Sequence, residues 1–277
     1  MTEDRRRGWT VFTKPWPDLA LGDLAAKVRQ LGFDGVELPI RPGFQVEPDG
    51  AGKGLARAVQ AFANEGLRVA SVATEPTPSL IDACGIAGVP IIRICVSVGR
   101  DDDYLACEAV TRRRLDDLVK PLGEAGVKVG VQNHYGDSVS NAMGVRHLIE
   151  AYDPAVVGAV WDGAHCGLDG ESPRLAADIL WSHLCLVNLK NARWERAGSD
   201  RFDAARWHAV FVPGREGLCS WPEVLDQLHR RGYEGDVCLT AEYSDVPKTD
   251  EYVAGDLSWA RTVAAGLDES VGVGGRS

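Results

Sequence analysis

Eight short apolar runs alternate with eight helix-like segments along most of the chain, and this alternation limits its fold more than any other feature. The runs lie at 9–12, 33–38, 67–73, 91–96, 127–132, 156–161, 184–189 and 237–241. They are rich in Val, Ile and Leu and end at turn residues, as strands buried on both faces of a parallel sheet do. The segments between them carry apolar residues at helical spacing. One example is Leu21, Leu24, Ala25, Val28 and Leu31, a stripe closed by Gly32. The others are 55–65, 79–87, 101–125 (with Pro121 expected to kink or break it), 141–152, 175–181, 221–231 and 252–265. Strand followed by helix implies a parallel sheet, and eight such units in about 250 residues match a closed (β/α)8 barrel. An open doubly wound sheet would carry a glycine-rich phosphate turn after its first strand, where this chain reads FTKPWPD. The expected architecture is therefore a single (β/α)8 TIM barrel over 1–266, followed by a disordered tail at 267–277. The 191–217 segment is expected to be a long connection of the kind that carries function.

Composition excludes several classes of function. The net charge is −10, and the two RRR runs, at 5–7 and 112–114, are too short to form a basic stripe. Nucleic acid is not an expected partner. No apolar stretch approaches the roughly 18 residues of a membrane helix, so no membrane association is expected. The opening MTEDRRRGWT lacks the apolar core of a secretory signal, so the expected compartment is the cytoplasm. The seven cysteines are scattered without a CxxC pair, against a disulfide framework or structural zinc. Cys166 adjoins His165, but no base is positioned beside it by sequence.

The polar groups at strand ends carry the chemistry. In a (β/α)8 barrel the C-terminal strand ends face one shared pocket. GVELP supplies Glu37, VGVQNH supplies Gln132 and His134, and VVGAVWDGAH supplies Asp162 and His165. LCLVNLKN supplies Asn188 and Lys190, and VCLTAEY supplies Glu242. Strand periodicity points Gln132 and His134 the same way, as it does Asn188 and Lys190. Taken alone, Asp162 before a turn could simply cap the following helix; four similar strand ends beside it favour a site.

These residues resemble the xylose-isomerase-like superfamily, the sugar isomerase and epimerase barrels. The likeness runs over nearly the whole chain: GFDGVEL, the strand-five NH, the DxxH of strand six, and GREG…LHRRGYEGDVCLTAEY. The resemblance implies a divalent cation held by Glu, Asp, His and Glu on strands five to eight. In this sequence those positions are Gln132, Asp162, Asn188 and Glu242. Two ligands are thus substituted, Glu by Gln and His by Asn. Both keep a carbonyl oxygen, which favours manganese or magnesium over zinc. His134 is a candidate replacement ligand.

In such barrels, carboxylates on strands five and eight move protons on either side of the sugar. Gln132 cannot act as a base, so Glu242 is left as the principal catalytic group, with His165 and Lys190 as partners. Glu37, His134, Trp9 and Trp194 are expected to contact substrate, the tryptophans as apolar faces for a sugar ring. The implied function is a sugar or keto-polyol isomerase or epimerase. A dehydratase or lyase of the same superfamily, or a metal-free sugar-binding barrel, are the alternatives. The partner is a small sugar or polyol, and a homodimer is compatible with a barrel of this kind.

Overall fold

The structure, a computed structural model, describes residues 8–274. Its strands are β1 (Trp9–Phe12), β2 (Gly35–Pro39), β3 (Arg68–Ala73), β4 (Ile91–Cys95), β5 (Lys128–Gln132), β6 (Val157–Asp162), β7 (Leu184–Leu189), β8 (Asn191–Ser199), β9 (Ala205–Val212) and β10 (Val237–Leu239). All but β8 and β9 form a closed barrel in the order β1-β10-β7-β6-β5-β4-β3-β2, every pairing parallel. The helices are α1 (Leu21–Leu31), α2 (Ala51–Asn64), α3 (Pro78–Ala87), α4 (Tyr104–Ala125), α5 (Ala142–Ile149), α6 (Gly163–Leu168), α7 (Pro173–Leu180), α8 (Trp221–Arg230) and α9 (Thr249–Gly274).

Strand periodicity divides the core into two layers. Phe12, Ala73, Val160, Leu186 and Cys238 pack together inside the barrel. Residues of the opposite parity, among them Val11, Val36, Val72, Ile92, Val131, Trp161 and Val187, pack against the helices. Each such side chain contributes about 1.5–3 kcal/mol of apolar burial, so a one-residue slip of any strand is strongly disfavoured. Gly158 meets tight packing: a Cβ there would lie 2.8 Å from Cys185 Sγ and 2.9 Å from the His183 carbonyl.

Two points of local structure bear on the expectations. Helix α4 is continuous through Pro121, so the proline removes one backbone bond without ending the helix. The chain also remains helical past 267 as far as Gly274, with Leu267 packed on the core. Positions 275–277 of the expected tail lie outside the described residues.

The 191–217 connection is mostly an antiparallel hairpin, β8 against β9, standing over the barrel mouth. Asn191 anchors it. Its side-chain amide donates to the carbonyls of Gly214 (2.7 Å) and Cys219 (2.8 Å), and its oxygen accepts from the backbone of Ala192 and Cys219. Gly217 lies against this knot, where a Cβ would come within 2.1 Å of the Asn191 oxygen. Asn191→Ala is expected to cost about 1–3 kcal/mol by leaving buried backbone groups unpaired. Urea melts would measure the loss, and limited proteolysis should show new cleavage within 191–219.

Candidate active site

A continuous chain of polar contacts crosses the C-terminal mouth of the barrel. It begins at Glu37, which is fully buried. Ser71 donates to Glu37 Oε1 (3.0 Å), and Arg93 donates to the same oxygen through Nε (2.8 Å) and pairs with Oε2 through Nη2 (2.8 Å). Arg93 also lies over the Phe12 ring and donates to the side-chain oxygen of Gln132. The Gln132 amide then donates to Asp162 Oδ2 (2.8 Å). Lys190 Nζ stands 3.9 Å from that oxygen and donates to Glu242 Oε2 (3.1 Å), while Lys14 donates to Glu242 Oε1.

Local structure sets each position. Glu37, Arg93, Gln132, Asp162 and Asn188 share the inward parity of the barrel-filling residues, and Asp162 is paired in register with Asn188. Asn133 fastens the end of β6, accepting from the Asp162 N–H (2.8 Å) and donating to its carbonyl (3.0 Å). Asp162 caps α6 as well, accepting from the His165 N–H (3.2 Å). One carboxylate oxygen of Asp162 thus serves the helix cap, and the other faces Gln132 and Lys190. Glu242 follows Ala241, which holds φ at 53°. A left-handed alanine is strained, and strain of this sort clusters at functional sites.

An aromatic wall closes one side. The rings of His134 and His165 lie 4.1 Å apart, and Tyr135 stacks on His165 at 5.3 Å. Phe211, from β9, meets the edge of His165, and Lys190 Nζ lies 4.7 Å above the Phe211 ring. Trp194, from β8, contacts Tyr135 edge-on at 6.2 Å, donates to the Leu168 carbonyl, and is 40% exposed beside the mouth. His165 is fully buried, with neither ring nitrogen hydrogen-bonded. Its Nε2 is 3.6 Å from Asp162 Oδ2. Asn188 is likewise buried with both amide atoms unpartnered. These orphaned groups lie beneath the mouth, next to Asp162.

Burial and neighbouring charge set the protonation states. Burial works against ionised Glu242, yet Lys190 and Lys14 hold its carboxyl well below the usual carboxylate range. Burial raises Asp162, with Lys190 only partly opposing it. Burial would also lower Lys190, but Asp162 and Glu242 outweigh that and keep it an ammonium. Burial lowers His165, with Lys190 and His134 adding to the effect, and burial lowers His134 too. Both imidazoles therefore stay neutral in the fold, while in the unfolded chain they take a proton near pH ~6.5. A depressed folded pKa means that stability present above that pH is lost as pH falls. We expect His165 to contribute up to about 1.4 kcal/mol of lost stability per pH unit below ~6.5. Asp162 acts in the opposite sense. Thermal melts from pH 7.5 to 5.5 measure the balance.

Most of the expected site residues meet here: Glu37, Gln132, His134, Asp162, His165, Asn188, Lys190 and Glu242 at the mouth, with Trp194 at its rim. Trp9 does not. It opens β1 at the opposite end of the barrel and packs outward against the helices, because only Thr10 and Phe12 of that strand face inward and only its far end reaches the mouth. His208 is exposed on β9. Cys166 is no nucleophile: it is buried, donates to Glu171 (2.9 Å), and its thiol is pushed well above its ordinary range by burial and by Glu171.

The four expected cation ligands do not fit a divalent metal as they stand. The Gln132 oxygen is committed to Arg93, and its amide N–H faces Asp162. The two carboxylates, Asp162 and Glu242, are already matched by two ammonium groups, Lys190 and Lys14. Among the described residues, no group of three or more His, Cys, Asp or Glu is arranged to hold an ion.

A family model described as xylose isomerase-like TIM barrel matches residues 25–263. The chain belongs to this family. Within it, the chain is 28% identical to the rhizopine catabolism protein MocC of Rhizobium meliloti over 135 residues, 47% of this chain and 41% of MocC. It is 27% identical to an inosose dehydratase of Geobacillus thermodenitrificans over 135 residues, 47% of this chain and 44% of that enzyme. The match thus spans less than half the length of these curated relatives. Among solved structures, D-psicose 3-epimerase with D-tagatose from Clostridium cellulolyticum H10 superposes with a TM-score of 0.73, covering 93% of this chain and 99% of the epimerase at 14% identity. That likeness is one of fold.

Sequence reasoning missed Lys14, Arg93 and Asn133. Arg93 had a signal, a lone charge inside the apolar IIRIC run. Lys14 follows the end of β1 and falls under the same strand-end rule as Glu37.

Proposed function

We propose that this xylose isomerase-like barrel is an enzyme that moves a proton at a carbon beside the carbonyl of a small sugar or keto-polyol, as an isomerase or epimerase of the one-base type. One observation carries the reading. Glu242 is the one carboxylate of the polar chain open to the mouth, at 26% exposed, whereas Glu37 and Asp162 are at 0%. It is ionised and flanked by two ammonium groups, a base beside cations able to receive charge on an oxygen. For Glu242 to accept a proton, the half-exposed Lys14 must leave its Oε1, and an incoming substrate oxygen is the natural exchange partner. Lys190 keeps the other oxygen and fixes the carboxylate plane. Gln132 serves as a hydrogen-bond relay between Arg93 and Asp162. Trp194 and Tyr135 offer the apolar face a sugar ring packs on.

A dehydratase reading has its own support. Lys190, held as an ammonium 3.1 Å from Glu242, is a proton donor for a departing hydroxyl, with Glu242 taking the proton at carbon. Similarity to an inosose dehydratase suggests cyclic keto-polyols as the substrate class. Incubation with a panel of ketoses and inososes, followed by mass spectrometry, separates the two. Isomerisation leaves the mass unchanged, and dehydration removes one water. Turnover of none of these compounds would refute both.

A further inference from the structure

We infer that the ammonium groups of Lys14 and Lys190 occupy the place and charge of a divalent cation in this barrel. Lys190 Nζ bridges the carboxylates that a cation would join, 3.1 Å from Glu242 and 3.9 Å from Asp162. Lys14 takes the second oxygen of Glu242. The Lys190 ammonium is 6% exposed and rests on the Phe211 ring, a contact that holds a cation in place with little water. The residues that would otherwise complete a metal shell are changed in the same sense. Gln132 carries no charge and spends its oxygen on Arg93. Asn188 supplies a neutral amide where an imidazole would bind more tightly. A divalent ion added to this cluster would leave two uncompensated positive charges in a buried site, a cost far above what one amide oxygen returns. The device also gives Lys14 a role, as the second ammonium on Glu242. Its catalytic use, receiving charge on a substrate oxygen, rests on the proton-transfer reading above; its exclusion of metal does not.

The test is Mn2+ binding to the full chain, followed by electron paramagnetic resonance, so it needs no substrate. Wild type is expected to bind Mn2+ at this cluster only weakly. Lys14→Met removes one ammonium from a half-exposed position and should fold normally by circular dichroism. It is expected to bind Mn2+ at least about tenfold more tightly than wild type, because one like charge a few ångströms away is gone. Lys14→Met/Lys190→Met should bind more tightly still, and Asp162→Asn added to either should abolish the gain. Two results would overturn the inference. One is tight stoichiometric Mn2+ binding by wild type that Asp162→Asn removes. The other is an affinity that Lys14→Met leaves unchanged. Neither bears on whether the enzyme turns over a sugar, so the two proposals fail separately.

Discussion

Glu242→Gln is expected to lower turnover by about 10²–10⁴-fold, the range for loss of a positioned base, with the barrel still folded. The amide keeps the shape of the carboxylate and one acceptor oxygen, so Lys190 retains a partner, and Asp162 remains beside it. What disappears is the one basic group of the polar chain that substrate can reach. Steady-state kinetics on whichever ketose or inosose the panel identifies, with circular dichroism as the folding control, measures the effect. Lys14→Met should behave differently. It frees Glu242 Oε1 but removes a cation from the substrate oxygen, so kcat falls while Glu242 remains able to exchange protons.

The second large effect is structural. Arg93→Met is expected to destabilise the barrel by about 3–5 kcal/mol, because it strands the Glu37 carboxylate, fully buried, without its cation. Ser71 alone cannot replace the two contacts the guanidinium makes with Glu37. Gln132 would also lose the donor that fixes its orientation, and with it the aim of its N–H at Asp162. Removing both charges in Glu37→Gln/Arg93→Met should recover much of the stability, since a buried pair contributes less than breaking it costs. Urea denaturation of the single and double variants checks this. Equal loss in both would show that packing, rather than the unpaired charge, is responsible.

The fold was readable because strand and helix announce themselves by different periods, and eight repetitions left little choice of topology. The inner wall of the site was readable for the same reason. Once Gln132, Asp162 and Asn188 are on strands, parity alone sends all three inward, and register brings Asp162 beside Asn188. The failures have physical causes. Trp9 looked like a sugar platform, but a residue's place along a strand decides which end of the barrel it serves, and Trp9 is at the wrong end. The β8–β9 hairpin carries only a short apolar alternation, Trp207, Ala209 and Phe211, and lies outside the strand-helix repeat. Its strands are largely exposed, and Asn191, a single residue, seats its base. The left-handed Ala241 that presents Glu242 leaves no trace in composition. Above all, strand ends reveal which residues meet but not how their charges pair. The substituted ligand set suggested a weakened metal site, whereas the side chains form ion pairs through Arg93, Lys190 and Lys14, joined by the neutral Gln132.

The most direct test of the proposed chemistry is solvent-proton exchange at carbon. Protein incubated in D2O with inososes and ketoses is followed by proton nuclear magnetic resonance, since a base acting beside a carbonyl washes deuterium into that position whether the product is an isomer or an alkene. The account predicts incorporation at the carbon next to the carbonyl with wild type, and its loss with Glu242→Gln. Deuterium exchange that persists undiminished in Glu242→Gln would contradict it.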